Sequence, residues 1–315
     1  MRIAVIGGSG HVGTFLIPRL VRAGHNVVVL TRGQSNPYLE DPAWDQVTRL
    51  VLDREEAEAA GTFGDTVAEL NADAVVDMVC FTLESAVALV ESLRGRTGHL
   101  VHCGSIWMHG VSVRAPIREE DSLPPFGDYG IQKALIAKAL AQETASGGLI
   151  TTSIHPGHIS GPGWAPIGPL GNLDPQVWST LADGRELAMP GLGAELMSHV
   201  HADDVAQLFE LAVTNRDAAA GHSFHATAAS AVTARGFAAA AAAWFGQEPN
   251  LRSVSWETFR QGTTDEFADQ SWQHLSRSHH VSIEKARRLL GYQPQHAPED
   301  AARAGVDWMV ATGLL

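Results

Sequence analysis

Arg2-Ile-Ala-Val-Ile6, followed at once by Gly7-Gly-Ser-Gly10-His-Val-Gly13, opens this chain. The first five residues are an apolar run of the kind a buried strand has. His11 to Ala23 then carries Val12, Phe15, Leu16 and Leu20 at the spacing of one helix face. Strand, glycine turn and helix make up a dinucleotide-binding unit. Gly7 permits the tight turn, Gly10 lets the backbone approach a pyrophosphate, and Gly13 lets helix and strand pack closely. The anion is then received by unpaired N–H groups at the positive end of the helix.

The alternation continues to about residue 155. Strands are expected at 2–6, 25–30, 47–52, 74–79, 99–103 and 149–155, and helices near 11–23, 54–60, 83–94 and 129–145. This pattern predicts an α/β fold, a Rossmann-type doubly wound parallel sheet covered on both faces. From Pro156 the texture changes to glycine- and proline-punctuated loops, with helices expected over 174–182, 202–215 and 233–245. Residues 1–155 are therefore read as the dinucleotide-binding domain, to which later segments return. Residues 156–315 are read as a smaller, irregular, mainly substrate-binding region.

The second strand bears on the cofactor. An NAD site wants a carboxylate about 20 residues past the glycines, to hold the ribose 2′-hydroxyl. Here Thr31-Arg32-Gly33 follows the strand, with no acid. Arg32 suits a 2′-phosphate through a charge-assisted, forked contact, so NADP is expected, with NAD as the alternative.

A second signal is Tyr129-x-x-x-Lys133. The chain has only three Tyr and three Lys, and random placement would give such a pair about 3% of the time. On a helix the two side chains lie one turn apart on the same face. The ammonium is expected to draw the phenol below its usual pKa near 10, fitting Tyr129 as a general acid/base. Lys133 also reaches for the nicotinamide ribose. Ser105 follows the apolar strand 99–103, where strand ends line the ligand crevice, and it is placed to polarise a carbonyl.

With 315 residues, 45% of them hydrophobic, the chain can bury a large core. A net charge of −13 argues against a nucleic-acid surface. No stretch is apolar enough to span a membrane, and no signal peptide precedes the first strand, so a cytoplasmic location is expected. Cys80 and Cys103 are read as buried thiols. The histidine pairs His155/His158 and His199/His201 lack a convincing third ligand, so no metal is expected.

These motifs resemble the extended short-chain dehydrogenase/reductases of the NAD-dependent epimerase/dehydratase family nearly end to end. Besides the glycine loop and Tyr129-Gly-Ile-Gln-Lys133, Gly104-Ser-Ile-Trp-Met-His-Gly110 stands where the family has Ser-x-x-Val-Tyr-Gly. His155-Pro-Gly-His-Ile-Ser-Gly-Pro-Gly163, His199-Val-His-Ala-Asp-Asp-Val205 and Ile283 to Pro294 match three later segments. Leu52-Asp53-Arg54 resembles a third-strand motif whose acid reads adenine, which implies that role for Asp53. The cofactor set expected on these grounds is Gly7, Gly10, His11, Val12, Gly13, Thr31, Arg32, Asp53, Val79, Lys133 and His155. The catalytic set is Ser105, Tyr129 and Lys133.

Three departures narrow the chemistry. Ile106 and Trp107 replace the acids of a dehydratase. Met197 stands where nucleotide-sugar members carry a diphosphate-gripping arginine, and the later Arg-x-Gly-Asp is missing. A diphosphate without cations would be poorly bound. Trp107, Met108, His109, His158 and Trp164 are instead expected to line a pocket for an apolar or aromatic carbonyl compound. The expected activity is NADP-dependent hydride transfer on a small molecule. A sugar epimerase that retains its cofactor, and a non-catalytic NADP- or RNA-binding protein, stand as alternatives. A homodimer through helices 83–94 and 129–145 is expected from their apolar second faces.

Overall fold

In a computed structural model describing residues 1–34 and 36–315, the opening strand Arg2–Ile6 lies inside a seven-stranded sheet. In order across it stand Ser223–Ala226, Thr151–Pro156, His99–Cys103, Ala74–Asp77, Arg2–Ile6, Asn26–Thr31 and Thr48–Val51. Every neighbouring pair is parallel. The chain winds one way from Arg2–Ile6 through the next two strands, then returns to its other side at Ala74–Asp77. That reversal opens a crevice at the C-terminal strand ends.

Side-chain alternation splits the core into two layers. Ile3 and Val5 face one cluster with Leu16 and Ile17 of helix His11–Arg22 and Phe209 of helix Ala202–Thr214. Ala4 and Ile6 face the other, with Val67, Leu89, Leu93, Ile136 and Leu140. A strand's period of two accounts for the split. Each such Leu or Ile contributes about 1.5–3 kcal/mol by its removal from water.

The expected strands and helices of the first half are present within a residue or two of their expected limits. Elements not anticipated include a short helix Phe63–Ala68, the sheet's seventh strand Ser223–Ala226, and the helices Trp256–Gln261, Asp265–Leu275, Glu284–Leu290 and Pro298–Ala311 of the later half. Helix Ala202–Thr214, from the later half, covers the same sheet face as helix His11–Arg22. Arg19 binds Asp203 through two nitrogens at 2.8 and 2.7 Å. Asp204, fully buried, accepts N–H bonds from Gln295 and His296 at 2.7 and 3.1 Å. The two acids of the His-Ala-Asp-Asp-Val segment thus tie the sheet to the C-terminal chain. A third apolar cluster, around Trp178, Met189, Met197, Phe237 and Val306, lies in the later half. Among the described residues, no helix is long and apolar enough to cross a membrane.

The interior is rich in histidine. His99, His102, His155 and His225 lie on sheet strands and are nearly sealed from solvent. Burial, which disfavours the imidazolium, lowers His99 and His225 to about 4 and His102 and His155 well below the ordinary 6.5. A histidine whose folded pKa is depressed stays neutral while the unfolded chain takes up a proton below about 6.5. Its contribution is complete above that pH and is lost as pH falls toward 4, by up to about 1.4 kcal/mol per unit and per group. Melting temperature is therefore expected to be level above pH 7 and to fall steeply between pH 6.5 and 4.5, with uptake of several protons on unfolding. A flat profile down to pH 4.5 would contradict the neutral interior.

Candidate active site at the sheet's C-terminal edge

The glycine turn is built as its spacing requires. Gly7 has φ +77°, and a Cβ there would stand 2.7 Å from Val79 Cγ1. A Cβ on Gly13 would stand 2.0 Å from the Gly8 carbonyl oxygen, so helix and turn touch backbone to backbone. Gly10 precedes the helix without a side-chain cap, and the first turn carries no acid. Among the described residues no side chain caps the N–H groups of that turn, which leaves them open to an outside acceptor, an arrangement that fits a dinucleotide pyrophosphate.

Beside this turn lies a cavity of about 610 Å³, lined by Gly7, Gly10, Thr31, Arg32, Asp53 and Val79 of the expected cofactor set. The Thr31 hydroxyl lies 2.9 Å from Ser9 Oγ and accepts the Gly33 N–H at 3.3 Å, which fixes the turn after the second strand. Arg32 is exposed at the cavity, and among the described residues no acid forms an ion pair with it. Asp53 caps helix Arg54–Ala59 by accepting the N–H groups of Glu55 and Glu56.

Sequence reasoning overlooked Arg54, which also lines the cavity. It binds both oxygens of buried Asp77 at 2.9 and 3.0 Å and Glu58 at 2.7 Å, and it packs over Phe63 at 4.8 Å. Its Nη2 is buried and, among the described residues, without a hydrogen-bond partner. Only the neighbouring motif, Leu52-Asp53-Arg54, could have drawn attention to it.

Val12 packs in the core, and His11 is buried with its ring stacked on Trp164 at 5.3 Å, so neither side chain lines the cavity. His155 also stands apart from it. Fully buried, its Nδ1 lies 3.2 Å from both the backbone nitrogen and the carbonyl oxygen of Ser105, and its Nε2 lies 3.1 Å from Ser223 Oγ. It holds the Ser105 backbone in place.

Ser105 begins the single turn Ile106–Met108, and its hydroxyl accepts the Trp107 N–H at 3.1 Å. Tyr129 lies in the first turn of helix Asp128–Ala145. Although 42% of the residue is exposed, its hydroxyl is on the side of the Ser105 side chain, whose proximity tends to lower the phenol's pKa. Lys133, 1% exposed, donates to the Cys80 and Cys103 carbonyls, each at 2.7 Å. Its Nζ lies 4.9 Å from the Phe81 ring centre and 5.6 Å from that of Tyr129. Burial lowers its pKa. Burial and the nearby Cys103 thiol push the Tyr129 phenol up to about 12, against the lowering effect of Ser105. This reverses the expectation that Lys133 draws the phenol down, because the ammonium is directed at the Cys80 and Cys103 carbonyls.

The side chains expected to contact substrate divide. Trp107 meets Tyr129 edge-on at 5.8 Å and His274 at 4.8 Å; His274 meets His158 at 4.9 Å. These half-buried rings form one line leading from Tyr129, and Met108 is half-buried in the same turn as Trp107. His274 lay outside the sequence motifs and was missed. His109 is turned inward, with Nε2 3.0 Å from His225 Nε2 and the residue 1% exposed, so it faces no open pocket. Trp164 lies against His11, outside this line of rings.

A parallel sheet with a glycine turn, an open helix end and a Ser/Tyr/Lys group at its C-terminal edge defines a nicotinamide-dinucleotide-binding protein of the short-chain dehydrogenase kind. The chain belongs to the NAD-dependent epimerase/dehydratase family, whose profile matches residues 3–226. It is 29% identical over 218 residues to a 2′-dehydrokanamycin reductase of Streptomyces kanamyceticus, covering 69% of this chain and 59% of that protein. A chloroplast stem-loop binding protein of Arabidopsis thaliana is 27% identical over 306 residues, covering 93% of this chain and 75% of that one. The fold superposes on a UDP-glucose-4-epimerase of Stenotrophomonas maltophila solved with bound NAD, with TM-score 0.75 and 18% identity over 100% of this chain and 99% of the other.

Proposed function

We propose that the protein is an NADP-dependent reductase of a small carbonyl compound. The observation that carries this reading is the Ser105–Tyr129 hydroxyl pair beside buried Lys133, at the sheet edge that also presents the open glycine turn. The cofactor supplies the hydride. Ser105 holds the substrate oxygen, and Tyr129, protonated at neutral pH, gives its proton to that oxygen as the carbonyl carbon is reduced. The proton is replaced from solvent. Lys133 has three N–H donors and spends two on carbonyls, leaving the third for a ribose hydroxyl.

Arg32 is assigned to the 2′-phosphate. No carboxylate ends the second strand, and the Thr31 hydroxyl is already engaged. On the substrate side, the line Trp107–His274–His158 offers apolar faces and uncharged imidazoles. Burial lowers His274 to about 4 and His158 well below the ordinary 6.5. Neutral imidazoles donate and accept hydrogen bonds without calling for an anion. This favours a ring compound bearing hydroxyls over a nucleotide diphosphate, and the reductase among the relatives supports reduction as the direction.

A dimer through helices Leu83–Leu93 and Asp128–Ala145 belongs to the same proposal. Val87, Ile131 and Leu135 are each about 40% exposed there, and such a face suits an isologous contact.

Tyr129→Phe is expected to bind NADPH normally and lose about 10²–10⁴-fold in turnover, as followed by NADPH consumption against a panel of aldehydes, ketones and keto-sugars. Because the acid form persists toward pH 12, the wild-type reduction rate should not fall on the alkaline side before pH 10. Unchanged turnover in the variant would remove Tyr129 from the reaction. Titration with both cofactors should show NADPH preferred, and Arg32→Ala should weaken NADPH by about 10- to 100-fold while sparing NADH. An alanine variant that still prefers NADPH would exclude Arg32. Light scattering at micromolar concentration should return twice the 33.6 kDa chain mass; a single-chain mass would dismiss the dimer.

A further inference from the structure

Arg277 is 1% exposed, yet among the described residues no carboxylate pairs with it. Its guanidinium lies between two rings, 3.9 Å from the centre of Trp107 and 3.7 Å from that of Phe126. Nη2 donates to the Phe126 carbonyl at 2.7 Å, and Nη1 to the Gln273 side chain at 2.9 Å. Nε is buried and, among the described residues, without a hydrogen-bond partner. A buried charge is costly unless its surroundings are built to receive it, and two ring faces with a set of oxygens are such surroundings.

The arginine is carried by a segment pinned onto the loop that follows Ser105. Ser278 has φ +47°, a strained value for a serine. It is fixed there because its hydroxyl accepts the Leu196 N–H at 3.0 Å and its carbonyl accepts the Ser112 hydroxyl at 2.8 Å. Ser112 N–H bonds to the Arg277 carbonyl at 3.0 Å, His279 Nε2 lies 2.8 Å from the Gly110 carbonyl, and Ile117 N–H bonds to the His280 carbonyl at 2.8 Å. Local strain of this kind persists only where surrounding contacts over-determine it. The two groups the guanidinium joins are the two sides of the catalytic pair. Trp107 belongs to the turn that Ser105 caps and meets Tyr129 edge-on. Phe126 and Gly127 lead directly into the helix bearing Tyr129, and a Cβ on Gly130 of that helix would stand 2.6 Å from the Trp107 carbonyl.

We propose that Arg277 is a positioning residue: clamped between Trp107 and Phe126, it holds the Ser105 turn against the start of the Tyr129 helix and so sets the hydroxyl pair. This rests on the reading of Tyr129 as the proton donor, but its geometry can be tested apart from turnover. Only three tyrosines are present, so protein labelled with ¹³Cζ-tyrosine gives three signals, of which Tyr129→Phe identifies one. In Arg277→Met the Tyr129 signal is expected to move or split while those of Tyr38 and Tyr292 stay. NADPH affinity should remain within about twofold, and turnover on a carbonyl substrate from the panel should drop by about 10²-fold, the scale of a misplacement near 1 Å. Arg277→Lys keeps the charge but cannot cover both rings, so it should show the same displaced signal; it also serves if the methionine variant does not fold. An unmoved Tyr129 signal in the folded variants would overturn the proposal, as would a disturbance shared equally by all three tyrosines. A displaced signal in a protein whose Tyr129→Phe variant keeps full turnover would uphold the clamp and refute only the chemistry assigned to Tyr129.

Discussion

The site depends on one buried ammonium. Lys133 Nζ joins the carbonyl of Cys103, the last residue of its strand, to that of Cys80, three residues past strand Ala74–Asp77, and so fixes how deep helix Asp128–Ala145 sits against the sheet edge. Among the described residues no carboxylate forms an ion pair with it. The cost of burial is offset by the two carbonyl dipoles and by the faces of Phe81 and Tyr129. With the helix at that depth, Tyr129, one turn earlier, meets Ser105, and Gly130 lets the helix backbone approach the turn carrying Trp107. A longer reach or a lost charge at position 133 would unseat every one of these contacts together.

Around that ammonium the protein does its polar work with neutral groups. The phenol of Tyr129 and the imidazoles of His158, His199 and His274 are all pushed toward their uncharged forms by burial. The fifteen histidines of the sequence invite thoughts of a metal. Their placement shows another use, as polar fillers within strands and between layers. His155 carries the Ser105 backbone, and His109 and His225 face each other nitrogen to nitrogen. The net charge of −13 therefore describes the surface and says little about the interior.

What was legible in the sequence was local. The glycine turn, the first six strands and the Tyr129–Lys133 spacing follow from neighbours within a few residues, and these are the features on which the sheet and its ligand-facing edge rest. What was not legible depends on distant partners. Ser223–Ala226 is four residues long, and only its pairing with Thr151–Pro156, some 70 residues earlier, makes it a strand. His155 and His109 sit beside motif residues, yet their rings turn inward to partners at Ser223 and His225, which no spacing reveals. Arg277 carries no motif at all; its meaning arises from Trp107 and Phe126, about 150 to 170 positions away. The phenol pKa failed for a related reason: helix spacing placed the ammonium near Tyr129 but could not show which oxygens it would choose.

The return of Ala202–Thr214 and Ser223–Ala226 to the sheet also bears on how the molecule forms. One face of the sheet is covered by helix His11–Arg22 together with a helix that begins nearly 180 residues later, and the sheet's outer edge beside Thr151–Pro156 waits for a strand later still. During synthesis the first 155 residues have left the ribosome well before either partner exists. The apolar row of Val5, Val76, Val101 and Ile154 is then only partly sheltered, and an unpaired strand edge lies open beside it. Parallel pairing over such separations is slow and leaves sticky intermediates. This architecture thus makes assembly of the cofactor fold a late event in the life of the nascent chain, and a chaperone that shields that face until residue 226 has emerged would act at its most exposed moment.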